Sequence, residues 1–272
     1  MTNSTITPEL LSRYADHTLE GRHRIALAWI DTTTERLLDA GCSYGYATRF
    51  YATKAKKVIG IELDEQLVAI GRAKYSNIEF LRSTVDHTPF PDAMFDCIVM
   101  TDVLEHVPDR ILALNELYRI LKPGGAAIIT TPHKGLFSLF DPYNYGYYLK
   151  RYMRPLYKVL FKIVRFVKEG RFPTQDNPIH SEKHFHFSRK DFLAMLDTSE
   201  FAGHYRIERW LRSGLFIEAL LLNLEVLLGV VIKNPRALRK LLKPLAWLAD
   251  KDYNINYHVL SFNIGLKLRK LG

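Results

Sequence analysis

The residues best suited to chemistry lie close together near the start of the chain. Leu37-Leu-Asp39-Ala-Gly41-Cys-Ser-Tyr-Gly45 carries an apolar stretch into a glycine-bearing turn, and Glu62 follows 17 positions after Gly45. Glycine admits left-handed backbone and lets the main chain approach a ligand closely. A helix opening just after such a turn supplies oriented N–H donors. An acidic side chain at the end of the next strand can accept from ribose hydroxyls. Together these features describe a nucleoside-cofactor site, and taken alone they fit a dinucleotide dehydrogenase as well.

Later segments narrow the choice. They are Pro89-Phe-Pro-Asp92, Phe95-Asp96, Asp102-Val-Leu-Glu-His106-Val-Pro-Asp109 and Leu121-Lys-Pro-Gly-Gly125. With Asp39 to Gly45, and in order and spacing from Arg36 to Pro132, the chain resembles the class I S-adenosylmethionine-dependent methyltransferases. Within that superfamily it is most similar to the ubiquinone-biosynthesis-type O-methyltransferases, through Thr84-Val85-Asp86 and the acidic-x-x-Glu-His run from Asp102 to His106. The resemblance implies that Asp39, Gly41, Cys42 and Gly45 surround the methionine half of S-adenosylmethionine. It implies that Glu62 binds the ribose and that Leu63 packs on the adenine. Thr84, Val85 and Asp86 would line the adenine edge, and Thr101 and Asp102 would sit under the sulfonium. Two positions depart from the pattern: Ser43 stands where a third glycine is common, and Thr84 where many relatives carry an aspartate.

Methyl transfer asks little of side chains beyond aligning a nucleophile and excluding water. A hydroxyl nucleophile gains from a general base, and histidine suits neutral pH. His106 and His133 both follow strand ends on the expected active-site side, and both are expected catalytic residues. Asp102, Glu105 and His106 are residue types that could bind Mg²⁺, but no metal is expected. His180, His184 and His186 form a second group; their polar surroundings, without cysteine, suggest a pocket wall or plain surface rather than a zinc site.

These residues need a scaffold of alternating strands and helices. The strands read as Arg36–Asp39, Lys57–Glu62, Ile78–Leu81, Phe95–Met100 and Ala126–Thr131. Helical stretches Tyr46–Lys54, Asp64–Lys74 and Pro108–Leu121 lie between them, the last stopped by Lys122-Pro-Gly-Gly125. Such alternation implies parallel βαβ units. Ser188 to Leu196 reads as a capped helix, His204 to Leu211 as a strand, and Tyr257 to Leu268 as a last strand, antiparallel near one edge. The expected fold is α/β: a Rossmann-like, seven-stranded, mostly parallel sheet flanked by helices, with helical cap insertions.

The division follows: an N-terminal helical cap segment at 1–34, a cofactor-binding core at 35–135, a basic aromatic helical insertion at 136–187, and a C-terminal part of the core at 188–272 with its own helical insertion at 214–250. The net charge of +9 is concentrated in these insertions. Between 142 and 172 there are eight Lys and Arg against Glu169 alone, and five more cations lie between Lys233 and Lys243. Leu156, Val159, Leu160, Ile163, Val164 and Val167 share helical spacing, with five tyrosines from Tyr143 to Tyr152 beside them. Basic, aromatic, amphipathic helices suit a membrane interface. Peripheral contact with an anionic membrane is therefore expected through 142–172 and 214–243, with a small-molecule or lipid-linked acceptor. Leucines 220, 221, 222, 227 and 228 make the region too apolar for a phosphate-tracking groove, so nucleic acid is not an expected partner. Glu218 and Glu225 interrupt the one long apolar run, which argues against a spanning helix. With only Cys42 and Cys97, and no apolar stretch in the first residues, a cytoplasmic location is expected, on the inner face of the membrane where contact is made.

Overall fold

The apolar runs of the first half become strands covered on both faces, which is why they lack a polar–apolar alternation. In the computed structural model, residues 7, 11, 14, 18–170, 185–232 and 234–272 are described. The chain divides into two units. One comprises Met1–Thr131, Phe187–Leu211 and Ile264–Gly272; the other comprises Pro132–His186 and Arg212–Asn263.

The first unit is built on β1 (Arg36–Ala40), β2 (Lys57–Glu62), β3 (Glu79–Arg82), β4 (Phe95–Thr101) and β5 (Leu121–Pro132). β1 pairs in parallel with β2 and β4, β2 with β3, and β4 with β5. With β6 (Tyr205–Ser213) and β7 (Asn263–Lys270), the sheet order is β3-β2-β1-β4-β5-β7-β6. β7 runs antiparallel to both neighbours. His133 N donates to Phe262 O while Gly265 lies against Thr130, and Phe262 N donates to Gly214 O while Leu271 N donates to His204 O. From β1 the chain proceeds outward to β2 and β3, then returns to the other side as β4. That reversal opens a crevice at the carboxyl ends of β1 and β4.

The helices of this unit are α1 (Gly21–Trp29), α2 (Thr48–Tyr51), α3 (Glu65–Lys74), α4 (Arg110–Ile120) and α7 (Arg189–Thr198). Asp64 caps α3 by accepting from Gln66 N, and Asp109 caps α4 by accepting from Leu112 N. Ser188 and Asp191 form a reciprocal capping box on α7. Two expectations need correction. The helix after the glycine turn is one turn long, because residues up to Ala47 are taken up by the turn itself. Lys122–Gly125 does not stop α4: the helix ends at Ile120, and these four residues bulge within β5 between the Phe95–Leu121 and Cys97–Ala126 pairings.

The second unit holds the turns Leu136–Phe140 and Pro142–Asn144, then α5 (Tyr145–Tyr152), α6 (Arg154–Glu169), α8 (Phe216–Val231) and α9 (Pro235–Asp252). Gly170, at φ 71°, closes α6 in the left-handed conformation. α6 and α9 both pack against α8. The last expected strand is shorter than its alternating pattern: His258–Leu260 is a 3₁₀ turn, and β7 begins only at Asn263. His180 and His184 lie outside the described residues. His186 is half of a pair, its Nε2 3.0 Å from Asp141 Oδ2. Among the described residues no helix is long and apolar enough to cross a membrane.

Candidate active site

A cavity of about 630 Å³ opens at the β1–β4 crevice, within the range of about 300–1,000 Å³ common for small-molecule sites. Its described lining residues belong to the first unit. Its floor is the turn after β1. Gly41 N and Cys42 N both donate to Ile61 O, and Gly45 N donates to Cys42 O. Gly41 and Gly45 have φ of 82° and 85°. A β-carbon at Gly41 would overlap the Val103 side chain, and one at Gly45 the Phe80 ring. Ser43, the departure from the glycine pattern, also takes a left-handed φ of 51°. The turn therefore keeps its shape and carries strain at the serine.

Glu62 is fixed by three backbone amides. Its Oε2 accepts from Ser43 N at 3.0 Å, and its Oε1 accepts from Leu63 N at 2.8 Å and Asp64 N at 3.1 Å. That arrangement locks the carboxylate at the cavity and leaves acceptor capacity on Oε2. Leu63 beside it is 60% exposed, an apolar surface at the cavity wall. Ser83, Thr84, Val85 and Asp86 form the adjoining wall, and Thr84 Oγ1 donates to His87 O to close that loop.

Asp39 is 2% exposed and accepts from Thr48 Oγ1 at 2.6 Å. Burial pushes its pKa up to about 7, opposed by the Thr48 hydrogen bond and aided by the nearby Glu62 charge. Burial, then Asp39 and Glu62, raise the Cys42 thiol far above its usual range, so it is a packed neutral group.

At the other end of the cavity stand Thr101, Asp102, His106, Tyr46 and His23. Asp102 is held at φ 57° while its N–H donates to Thr130 O, and its Oδ2 lies 2.8 Å from an Arg22 guanidinium nitrogen. Left-handed non-glycine residues store strain and cluster at working sites; Ser43 and Asp102 both line this cavity. His106 is exposed on the short turn Leu104–His106. Burial and then the Asp102 carboxylate raise the Tyr46 phenol, so it remains a hydrogen-bond donor. Among the described residues, no group of three or more His, Cys, Asp or Glu is arranged to hold a metal ion, and that includes Asp102, Glu105 and His106.

Of the residues singled out from sequence, Asp39, Gly41, Cys42, Glu62, Leu63, Thr84, Val85, Asp86, Thr101 and His106 all line the cavity. Gly45 shapes its turn without lining it. His133 is not among the described lining residues. That residue belongs to the second unit, is 4% exposed, and has its Nδ1 within 2.8 Å of Ser261 Oγ and 3.1 Å of Ser261 O. Burial lowers its pKa, opposed by the hydrogen bond with Ser261. His23, on α1, was missed. Its Nδ1 lies 3.1 Å from both Tyr51 Oη and Thr101 Oγ1, and burial, then Arg22, lower its pKa to about 3. No local signal marks it, because its partners lie 28 and 78 residues away.

Residues 38–129 match the family model described as a methyltransferase domain. The chain is 37% identical over 102 residues to a probable S-adenosylmethionine-dependent methyltransferase of Mycolicibacterium smegmatis, covering 38% of this chain and 40% of that protein. It is 30% identical over 122 residues to the ubiquinone/menaquinone biosynthesis C-methyltransferase UbiE of Cronobacter sakazakii, covering 42% and 47%. Residues 38–129 form a methyltransferase domain. A solved S-adenosylmethionine-dependent methyltransferase from Mesorhizobium loti shares the fold, with a TM-score of 0.53 and 19% identity, over 92% of this chain and 98% of its own. The chain spans less than half the length of these two curated relatives. The methyltransferase domain coincides with the cavity: among the described residues, its matched segment supplies the lining apart from His23. An amide-fixed carboxylate, an exposed apolar platform and a buried acidic group around one cavity fit a nucleoside cofactor bearing a cationic tail.

Proposed function

We propose that the chain transfers a methyl group from S-adenosylmethionine to an oxygen of a small or lipid-linked acceptor. The observation that carries this is the Glu62 carboxylate, fixed by Ser43, Leu63 and Asp64 amides in a cavity whose far end presents His106. Glu62 would accept from the ribose, Leu63 would cover one adenine face, and Thr84, Val85 and Asp86 would border its edge. Asp39, Gly41, Cys42 and Gly45 would enclose the methionine portion, with Thr101 and Asp102 beyond it. The cofactor, when bound, supplies an electrophilic methyl group. His106 then accepts the acceptor's hydroxyl proton on an imidazole nitrogen, while Tyr46 and the neutral His23 orient the acceptor. The Arg22–Asp102 ion pair ties α1 to this end of the cavity and helps exclude water.

A second reading is favoured by one relative: UbiE is by name a C-methyltransferase, and an acceptor carbon beside a phenolic oxygen would use the same proton-accepting group. The location that goes with both readings is the cytoplasmic side of an anionic membrane, met through 142–172 and 214–243. Cys42 and Cys97 are both free, buried thiols, in keeping with it.

The test is calorimetric titration with S-adenosylmethionine, S-adenosylhomocysteine and NAD, followed by assay with methyl-¹³C cofactor against quinols and lipid extracts. Binding of both sulfur compounds and not NAD is expected. Glu62→Ala should abolish it, and His106→Gln should keep it while lowering kcat by about 10²–10⁴-fold. Carbon NMR of the product separates an O-methyl from a C-methyl. Failure of either sulfur compound to bind overturns the reading.

A further inference from the structure

In water, an amphipathic helix normally turns its apolar stripe toward the protein core. α6 does the opposite. Leu156, Val159, Leu160, Ile163, Phe166 and Val167 recur at three- and four-residue spacing and are all exposed, Val159 by 55% and Ile163 by 50%. The side of α6 that packs inward carries Phe161, buried, with Tyr157 and Val164 half-buried beside it. Arg154, Lys158 and Lys162 are exposed next to the apolar stripe, and the sequence from 142 to 168 contains no acidic residue.

α9 repeats the arrangement. Leu241, Pro244, Trp247 and Leu248 are exposed along one face, Trp247 by 62%, while Leu242 and Ala249 are buried. Lys240, Lys243 and Lys251 are exposed, and Lys251 Nζ lies 5.7 Å from the Trp247 ring. The first acid of α9 is Asp250, in its last turn. Both helices rest on α8. Trp247 and Lys251 extend the surface beyond the segment that the charge pattern alone marks.

We infer that α6 and α9 form a seat for an anionic lipid bilayer, with Ile163, Val159 and Trp247 entering the acyl boundary and the lysines meeting the head-group charge. Leucine- and tryptophan-bearing faces flanked by lysine favour the interface of a bilayer, and long lysine stems reach from an apolar contact to the phosphate level. Charge decides among occupants. A second copy of the chain would bring together faces that carry many more lysines and arginines than acids, of which these two helices hold only Glu169, Asp250 and Asp252 at their C-terminal ends, and nucleic acid phosphates would leave the apolar stripes uncovered. The inference does not depend on the methyl-transfer reading.

The experiment uses the full chain with vesicles of phosphatidylcholine alone and of phosphatidylcholine mixed with phosphatidylserine, reading co-sedimentation and tryptophan emission. Binding to the mixed vesicles is expected, weakening with added salt, with little binding to neutral ones. A blue shift in emission should accompany binding and vanish in Trp247→Phe; Trp29 is buried and Trp210 only partly exposed, so Trp247 is the tryptophan able to report it. Lys158→Glu with Lys162→Glu should lower the partition coefficient at least about tenfold. Val159→Ser with Ile163→Ser should do likewise. S-adenosylmethionine titration of each variant shows that the fold survives and keeps this result separate from the cofactor reading. Absence of binding to mixed vesicles overturns the inference. So does an emission shift that persists in Trp247→Phe, or a dimer in solution that Val159→Ser with Ile163→Ser dissociates.

Discussion

At the scale of single residues, the active-site end of β1 is governed by a carboxyl group that burial keeps close to neutrality. Asp39 has a pKa of about 7 in the folded chain against 3.8 for an ordinary aspartate, with desolvation as the main cause. The folded state therefore binds more protons than the unfolded state between those two values. Stability from this group is fully present below about pH 3.8 and is lost as pH rises towards about 7, after which it is constant. Replacing Asp39 by Asn removes that dependence. The difference in melting temperature between Asp39→Asn and the parent, measured without cofactor, should shift towards the variant from pH 4 to 7 and level off above. A difference independent of pH would mean that Asp39 is ionised throughout. The identity of Asp39 as a site residue is legible from its place before a glycine turn, but its protonation is not. That depends on Thr48, nine residues on, and on the enclosure contributed by separate strands.

Among the elements, the turn from β1 to α2 shows which features the spacing of residues can convey. Gly41 and Gly45 mark it from sequence, and each has a positive φ and a neighbour that excludes a β-carbon. Ser43 reads as a mild departure, yet it adopts φ 51°, a conformation costing a non-glycine residue about 1–2 kcal/mol. Ser43→Gly relieves that strain but adds roughly 0.5–1 kcal/mol of unfolded-state entropy, so its stability should lie within about 1 kcal/mol of the parent. Gly45→Ala meets both a left-handed backbone and the Phe80 ring and should lose more than about 2 kcal/mol. Urea denaturation of the two variants checks the contrast, and a Gly45→Ala protein as stable as the parent would show that Phe80 can yield. Elements held by local signals, such as α3 under Asp64 and α7 under Ser188, are readable to within a residue or two. The bulge at Lys122–Gly125 is not, because Pro and Gly mark a break in regular structure without saying whether a helix ends there or a strand deforms.

Across the whole molecule, the sheet could be anticipated because buried parallel strands write themselves as apolar runs, and β7 could be anticipated as a strand from its alternation. The α1 contribution could not. His23 and Arg22 sit in a short helix whose pattern indicates only an apolar side, and their partners Thr101 and Asp102 belong to β4 and its end. The cavity is thus assembled from segments separated by up to 85 residues, from His23 to Pro108, and cofactor binding should be felt in all of them at once. Hydrogen exchange with and without saturating S-adenosylmethionine should slow amides in α1, in 39–48, 61–64, 83–86 and 101–108. No residue of α5, α6, α8 or α9 is among the described lining residues, and these helices should exchange at unchanged rates apart from any gain in global stability, which at a hundredfold excess over Kd is about 2.7 kcal/mol. Protection confined to 39–64, with α1 and 101–108 unaltered, would mean that the cofactor occupies only the glycine turn and ribose end, and that His106 stands outside the reacting site. Protection reaching α1 would tie the N-terminal helix to cofactor binding and make His23 the next residue to replace.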